Sequence, residues 1–175
     1  SLPYVDHWIC ISKTVEKDLQ EIAKNLKIGS IRTSSFRLGS DIKESLDYQL
    51  VENIEGKYDF ILKNDYLLSV GTVEPRKNHE LVLDVFDEII KRKFKEKLNL
   101  VIVGRRGWNN DSIIKRILNH KLYNKKIFWF DSVNDAELVA FYEHANACLC
   151  LSHYEGYGLP VVEALAHGVP VICTA

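Results

Sequence analysis

The densest concentration of chemically useful residues is Ser152-His-Tyr-Glu155-Gly-Tyr-Gly158-Leu-Pro160-Val-Val-Glu163, which follows an apolar run and opens a helical one. An ionised carboxylate only accepts hydrogen bonds, and a sugar or ribose offers hydroxyl donors, so Glu155 and Glu163 suit a polyol ligand. Between them, free backbone N–H groups around Gly158, Leu159 and Val161 sit at the positive end of a helix, where a diphosphate oxygen is favoured. Glycine at 158 permits close approach, and Pro160 fits the first helical turn, where its missing N–H costs nothing. Val161, Val162, Ala164, Leu165 and Ala166 make that helix apolar nearly all round. That is the pattern of a buried helix, in which Glu163 needs a partner. The plainer alternative makes Glu163 a first-turn charge favoured by the helix dipole and Glu155 an ordinary loop residue.

A second cluster is Gly71-Thr-Val-Glu-Pro75-Arg76-Lys77-Asn78-His79, again between a strand-like and a helix-like run. Cations at a helix start oppose its dipole by roughly 0.3 kcal/mol each, a mismatch that a bound diphosphate reverses. The alternative is a turn with two solvated basic residues and Asn78 as the helix cap. Both clusters fall at carboxyl ends of strands, where ligands of parallel α/β sheets bind, so basic side chains and helix amides can meet one phosphate pair. His153, Glu163 and His167 lack a third histidine at a metal-binding spacing, and no metal site is expected. Trp108 and Trp129 have faces suited to a base or sugar, although Trp129, inside a strand, is more simply core.

The elements that must position these residues alternate. Strands are expected at Tyr66–Gly71, Asn99–Val103, Lys126–Phe130, Ala147–Leu151 and Val169–Cys173. Helices are expected at Glu80–Lys95, Asp111–Leu122, Asn134–His144 and Leu159–His167. Repeated βαβ units of this kind predict an α/β fold, a Rossmann-like parallel sheet with helices on both faces. Ahead of it, His7–Ile11 reads as a strand and Thr14–Leu26 as a helix with Val15, Leu19, Ile22, Ala23 and Leu26 on one face. The polar stretch from Ser30 to Asn64 reads as a connection, with Gly39 in Phe36-Arg37-Leu38-Gly39 as a hinge candidate. The expected organisation is therefore residues 1–29, a linker over 30–64, and a ligand-binding domain over 65–175. Ending on an apolar parallel strand suggests a piece of a longer chain.

With 175 residues, 46% of them hydrophobic, the chain can bury a core. Lys and Arg number 23 against 24 Asp and Glu, so no global positive field exists to gather nucleic acid. Cys10, Cys148, Cys150 and Cys173 lie in apolar runs without a Cys-x-x-Cys pair and read as reduced core thiols. No apolar run reaches the ~18 residues of a membrane span, and no leader is visible, so a cytoplasmic location is expected. Lys91-Arg92-Lys93 with Lys95 and Lys97 reads as a solvated helix face, with contact to anionic lipid at the inner membrane face as a secondary expectation.

The paired motifs, Val-Gly71-Thr-Val-Glu-Pro-Arg76-Lys77-Asn and Glu155-x7-Glu163 enclosing Gly-Tyr-Gly-Leu-Pro, resemble those of the large retaining glycosyltransferase family with two Rossmann-like domains (GT-B). The resemblance runs from Leu67 to Ala175, and Trp8-Ile-Cys-Ile-Ser12-Lys-Thr resembles the last strand and helix of that family's acceptor domain. It implies that Arg76, Lys77 and Glu155 carry the catalytic contacts to diphosphate and transferred sugar. It also implies that Glu163 holds the ribose, that Gly158, Leu159 and Pro160 face phosphate or sugar, and that Gly71, Gly104, Arg105, Ser132 and Val133 lie around the nucleotide. Many members carry Arg directly after the first-motif glycine; Thr72 stands there in this chain. The activity implied is transfer of a hexose, mannose first, from a nucleotide-diphosphate sugar to a glycan or lipid-linked hydroxyl. GDP-mannose leads as donor and UDP-sugars follow, no metal is obligatory, and the rest of the acceptor domain acts as partner. A binding-only nucleotide module and a nucleotide-sugar epimerase are the rival readings.

Overall fold

The structure, a computed structural model, describes residues 4–39, 52–93 and 97–174. Over these residues the chain divides into two compact units. One comprises 4–39 with Glu155–Leu159, and the other 52–93, 97–154 and 160–174.

In the first unit, β1 (Trp8–Cys10) pairs in parallel with β2 (Thr33–Ser35), and α1 (Lys13–Asn25) connects them. Ser12 caps α1 by accepting from the Val15 N–H at 3.2 Å. Glu16 accepts from the Ser35 and Thr33 hydroxyls at 2.8 and 2.9 Å, which holds its carboxyl below the ordinary range. Two three-residue strands offer little area to cover. Of the five residues expected on one face of this helix, Ala23 is buried while Ile22 and the C-cap Leu26 are at least half exposed.

The second unit carries a five-stranded parallel sheet: β3 (Tyr66–Val70), β4 (Asn99–Val103), β5 (Ile127–Phe130), β6 (Ala147–Cys150) and β7 (Val171–Cys173), in the order β5-β4-β3-β6-β7. Alternate strand residues feed two cores, because successive side chains leave opposite faces of a strand. Leu67, Leu100, Ile102 and Leu149 pack with Val82, Leu83 and Phe86 of α3 (His79–Lys91) and Ile113, Ile114 and Ile117 of α4 (Asp111–Leu118). Leu68, Val101, Val103 and Cys148 pack with Tyr58 and Ile61 of α2 (Glu52–Leu62), Phe141 and Tyr142 of α5 (Asp135–His144), and Ala164 of α6 (Leu159–Ala166). Burial on both faces explains why β3 and β4 read as nearly unbroken apolar runs. From β3 the chain steps outward to β4 and β5, and from β6 the other way to β7, so the loops after β3 and β6 flank the topological switch point.

Several sequence expectations need correction. The stretch read as a connection over 30–64 contains β2 and α2, and residues 40–51 lie outside the described residues. Lys91 is the last residue of α3; its cap Arg92 bonds back to Glu88 and Ile90 and Lys93 turns left-handed, and Lys95 lies outside the described residues. The second helix stops at Leu118, and Leu122 is instead the hub of a turn accepting from Lys125, Lys126 and Ile127. Helix α6 is not buried all round: only Ala164 is buried, and Leu165 is 60% exposed. Cys173 is exposed because β7 is the edge strand of the described sheet, whereas Cys10, Cys148 and Cys150 are buried; all four are free thiols.

Candidate functional site

The loops after β3 and β4 are built as one piece. Gly71 N–H donates to Val103 O at 2.9 Å, Val73 N–H to Arg105 O at 2.8 Å, and Gly107 N–H to Val73 O at 3.0 Å. The Asn110 amide closes the pair, donating to Val73 O at 3.0 Å and Gly107 O at 2.7 Å. A Cβ at Gly104 would stand 1.9 Å from Gly71 O, so only glycine admits this approach. The Lys77 side chain crosses Gly71: a Cβ there would lie 3.0 Å from Cε and 3.3 Å from Nζ. Trp129, half-buried against the core, donates from Nε1 to Gly104 O at 2.9 Å, and Arg106 lies over its ring at 5.4 Å.

Arg76 and Lys77 occupy their own 3-10 turn, Pro75–Lys77, upstream of α3. Asn78 follows with φ of 53° and makes no side-chain cap bond, so it is a left-handed junction and not the side-chain cap of the alternative reading. The Arg76 guanidinium donates to Glu74 Oε1 at 2.8 and 3.0 Å and to Tyr154 O at 2.9 Å, while Arg76 O accepts from His153 N–H at 2.9 Å. The turn after β3 is thereby tied to the end of the loop leaving β6. Sequence reasoning missed Glu74 as the counter-charge of Arg76; an acid two residues before an arginine in a proline turn was the available signal.

Glu163 has the partner that its position demanded. Tyr142 on α5, fully buried, donates its hydroxyl to Glu163 Oε2 at 2.8 Å. Burial, and then the Glu163 charge, push the Tyr142 hydroxyl far above its ordinary pKa, so it stays a donor. Its ring stacks on His167 with centroids 5.5 Å apart and planes 6° from parallel. Burial, then Cys150 and Glu163, raise the Cys148 thiol to about 12, which keeps that neighbour uncharged. A carboxylate has about four lone-pair positions, so one tyrosine bond leaves Glu163 able to accept from a diol. Tyr142 was not singled out from sequence; a tyrosine in the preceding helix was the only hint.

Val133, half-buried, lies just before a capping box in which Asn134 and Glu137 exchange side-chain to backbone bonds of 2.9 Å. Burial opposes ionisation of Glu137, but the Lys57 ammonium at 2.6 Å, the Asn134 N–H and the Tyr58 hydroxyl outweigh it and lower its pKa. Pro160 lies in the first turn of α6. Glu155, Gly158 and Leu159 group with the first unit, where Ser12 donates to Gly156 O and the Tyr157 hydroxyl to Leu38 O at 2.9 Å. Gly158 is buried with φ of 78°, a left-handed position before the helix. The structure thus brings Gly71, Lys77, Gly104 and Arg105 together at the ends of β3 and β4, and gives Arg76 to the loop leaving β6 and Glu163 to α5. Among the described residues, no group of three or more His, Cys, Asp or Glu side chains is placed to hold a metal ion. No helix among them is long and apolar enough to cross a membrane.

A five-stranded parallel sheet with a switch point and helices on both faces defines a doubly wound, Rossmann-like α/β domain. The model of the family "Glycosyl transferases group 1" matches residues 51–175, and the chain belongs to that family. It is 34% identical over 97% of its length to the serotype-specific mannosyltransferase WbdA of Escherichia coli, covering 21% of that relative. It is 33% identical over 62% of its length to the O-antigen chain mannosyltransferase B of Escherichia coli, covering 28%. The chain therefore spans between about a fifth and three-tenths of the length of these curated relatives. Among solved structures, sucrose-phosphate synthase from Thermosynechococcus elongatus superposes with a TM-score of 0.73 at 23% identity, over 99% of this chain and 42% of that one, a likeness of fold.

Proposed function

We propose that the chain is the donor-binding part of a retaining hexosyltransferase that moves mannose from a nucleotide-diphosphate sugar, GDP-mannose first and UDP-sugars second, to a glycan or lipid-linked hydroxyl in polysaccharide synthesis. The observation that carries this reading is the basic turn: Lys77 lies over Gly71 at the end of β3, beside the topological switch point. The mannosyltransferase relatives support the sugar.

In this reading the bond from the anomeric carbon to the β-phosphate oxygen breaks, and the diphosphate leaves with its charge growing. Lys77 and Arg76 stabilise that charge, in the way that usually contributes most to such catalysis. Glu163 accepts from the ribose hydroxyls while Tyr142 fixes its carboxylate, and Glu155 accepts from the transferred hexose. The acceptor oxygen forms the new bond on the same face and gives its proton to the departing phosphate. Arg105 and Val133 border the base, and cytoplasmic work at the membrane's inner face follows from a lipid-linked acceptor.

The test is calorimetric titration of the protein with GDP, UDP and ADP, repeated on Lys77→Ala and Glu163→Ala. The expected result is a preference for GDP and losses of about tenfold or more in both variants. Equal affinity in both variants overturns the site, and nucleotide binding without hexose transfer by the full-length protein makes it a binding module.

A further inference from the structure

We propose that the cavity between the starts of α3 and α4 is a binding subsite for one neutral sugar residue of a glycan. It measures about 250 Å³ and is lined by Asn78, His79 and Glu80, by Asn109 and Ser112, and by His153. At ~30 Å³ of liquid volume per water, that is room for a hexose.

The lining selects the ligand class. Amides, a hydroxyl, imidazoles and a carboxylate offer both donors and acceptors, the mixture that ring hydroxyls require. The other acid at the cavity, Glu74, is committed to Arg76. No lining residue is itself a lysine or arginine, and no metal-holding group exists among the described residues. His79 is 2% exposed, and its Nδ1 has no hydrogen-bond partner in the structure, an atom that a hydroxyl can satisfy. Burial, and then Lys77, hold the imidazole neutral down to a pKa of about 4, so it works as a hydrogen-bonding group and not as a charge.

A stacking face stands next in the chain. Trp108, directly before Asn109, is 64% exposed, which leaves its ring open to a ligand. Its loop is held by the Gly107 and Asn110 bonds to Val73, so the ring is presented by a fixed backbone and little ordering is needed on binding. An exposed aromatic plane one residue before the lining residue Asn109 can serve a pyranose, whose C–H face stacks while its rim hydroxyls bond. The subsite uses neither Lys77 nor Glu163 and does not depend on the donor reading.

The experiment is titration of the full chain with an α-linked mannotriose, and with maltotriose in parallel, followed by calorimetry and saturation-transfer NMR. GDP is titrated into the same samples. Trp108→Ala removes the stacking face and Ser112→Leu fills the cavity; both positions are exposed, and thermal unfolding verifies that each variant folds. The expected result is mannotriose binding that falls about tenfold in each variant while GDP affinity holds. Maltotriose bound equally well keeps the subsite and widens it to hexoses in general. Absence of trisaccharide binding overturns the proposal whatever GDP does, as does binding that both variants leave unchanged. Variant-sensitive mannotriose binding without any nucleotide binding retains the subsite and removes the donor reading.

Discussion

The basic turn after β3 and the acidic helix after β6 are held in place by opposite means. Around Lys77 the fixing is done by main chain: two glycines in contact, and bonds from Gly71, Val73 and Gly107 to neighbouring carbonyls. Around Glu163 it is done by one side chain, the buried Tyr142 hydroxyl on a different helix. Main-chain fixing tolerates many side chains but forbids a methyl group in the wrong place, whereas side-chain fixing tolerates backbone adjustment but depends on a single oxygen.

The sharpest way to break this contrast is Gly104→Ala. Its new carbon would stand 1.9 Å from Gly71 O, so the joined loops must separate. Chemical denaturation should register a loss of about 3 kcal/mol or more, with nucleotide binding abolished. An unchanged midpoint would mean that the loops are not rigidly joined.

Acid should weaken the basic-turn side selectively. His79 begins α3 directly after that turn, and its pKa falls from 6.5 to about 4 in the folded chain. The unfolded chain therefore takes up the proton first, and stability that is complete above pH 6.5 declines as pH falls toward 4. The difference amounts to about 3 kcal/mol at most, and unfolding curves of His79→Leu should be flatter across that window. Parallel pH profiles for the two proteins would contradict the assignment.

Lys77→Ala sharpens the comparison from the ligand side, because the main chain that positions the residue is untouched. Diphosphate affinity should drop by a factor of about 10 to 100 in calorimetry, with the melting temperature within a degree or so of the parent. The smallest effect is expected from Tyr142→Phe, which removes one hydrogen bond. Stability should fall by about 1 kcal/mol and nucleotide affinity by a few fold, a split that Glu163→Ala should exceed on affinity. If Tyr142→Phe leaves both unchanged, the hydroxyl does not position the carboxylate.

The same contrast explains what was readable in the amino-acid string. The strands of the main sheet were legible because burial on both faces writes itself as apolar runs, and β4 was expected at the residues it occupies, Asn99–Val103. The helices α3 and α4 announced themselves by periodicity, and α5 by the Asn134 cap at its start. By contrast β2, the three-residue Thr-Ser-Ser, is too short and polar to stand out, and α2 sits in a charged stretch. The apolar composition of α6 overstated its burial, because its one buried side chain is Ala164 and its neighbour β7 is an edge strand. At the site, the glycines and the basic pair were visible as types, since close approach and charge leave compositional marks. Glu74 bonding back to Arg76 is local and its two-residue spacing was there to be read, whereas Tyr142 reaching Glu163 is a tertiary pairing, which leaves no mark at a fixed spacing.

The Gly71–Gly104 contact limits how the two loops can be varied. Libraries built on the two loops will lose most members to misfolding if they randomise either glycine, whatever they gain at Arg105 or Lys77. Arg105 and Arg106 lie beyond the touching point and can be varied around that intact hinge pin, with Trp129 retained beneath them.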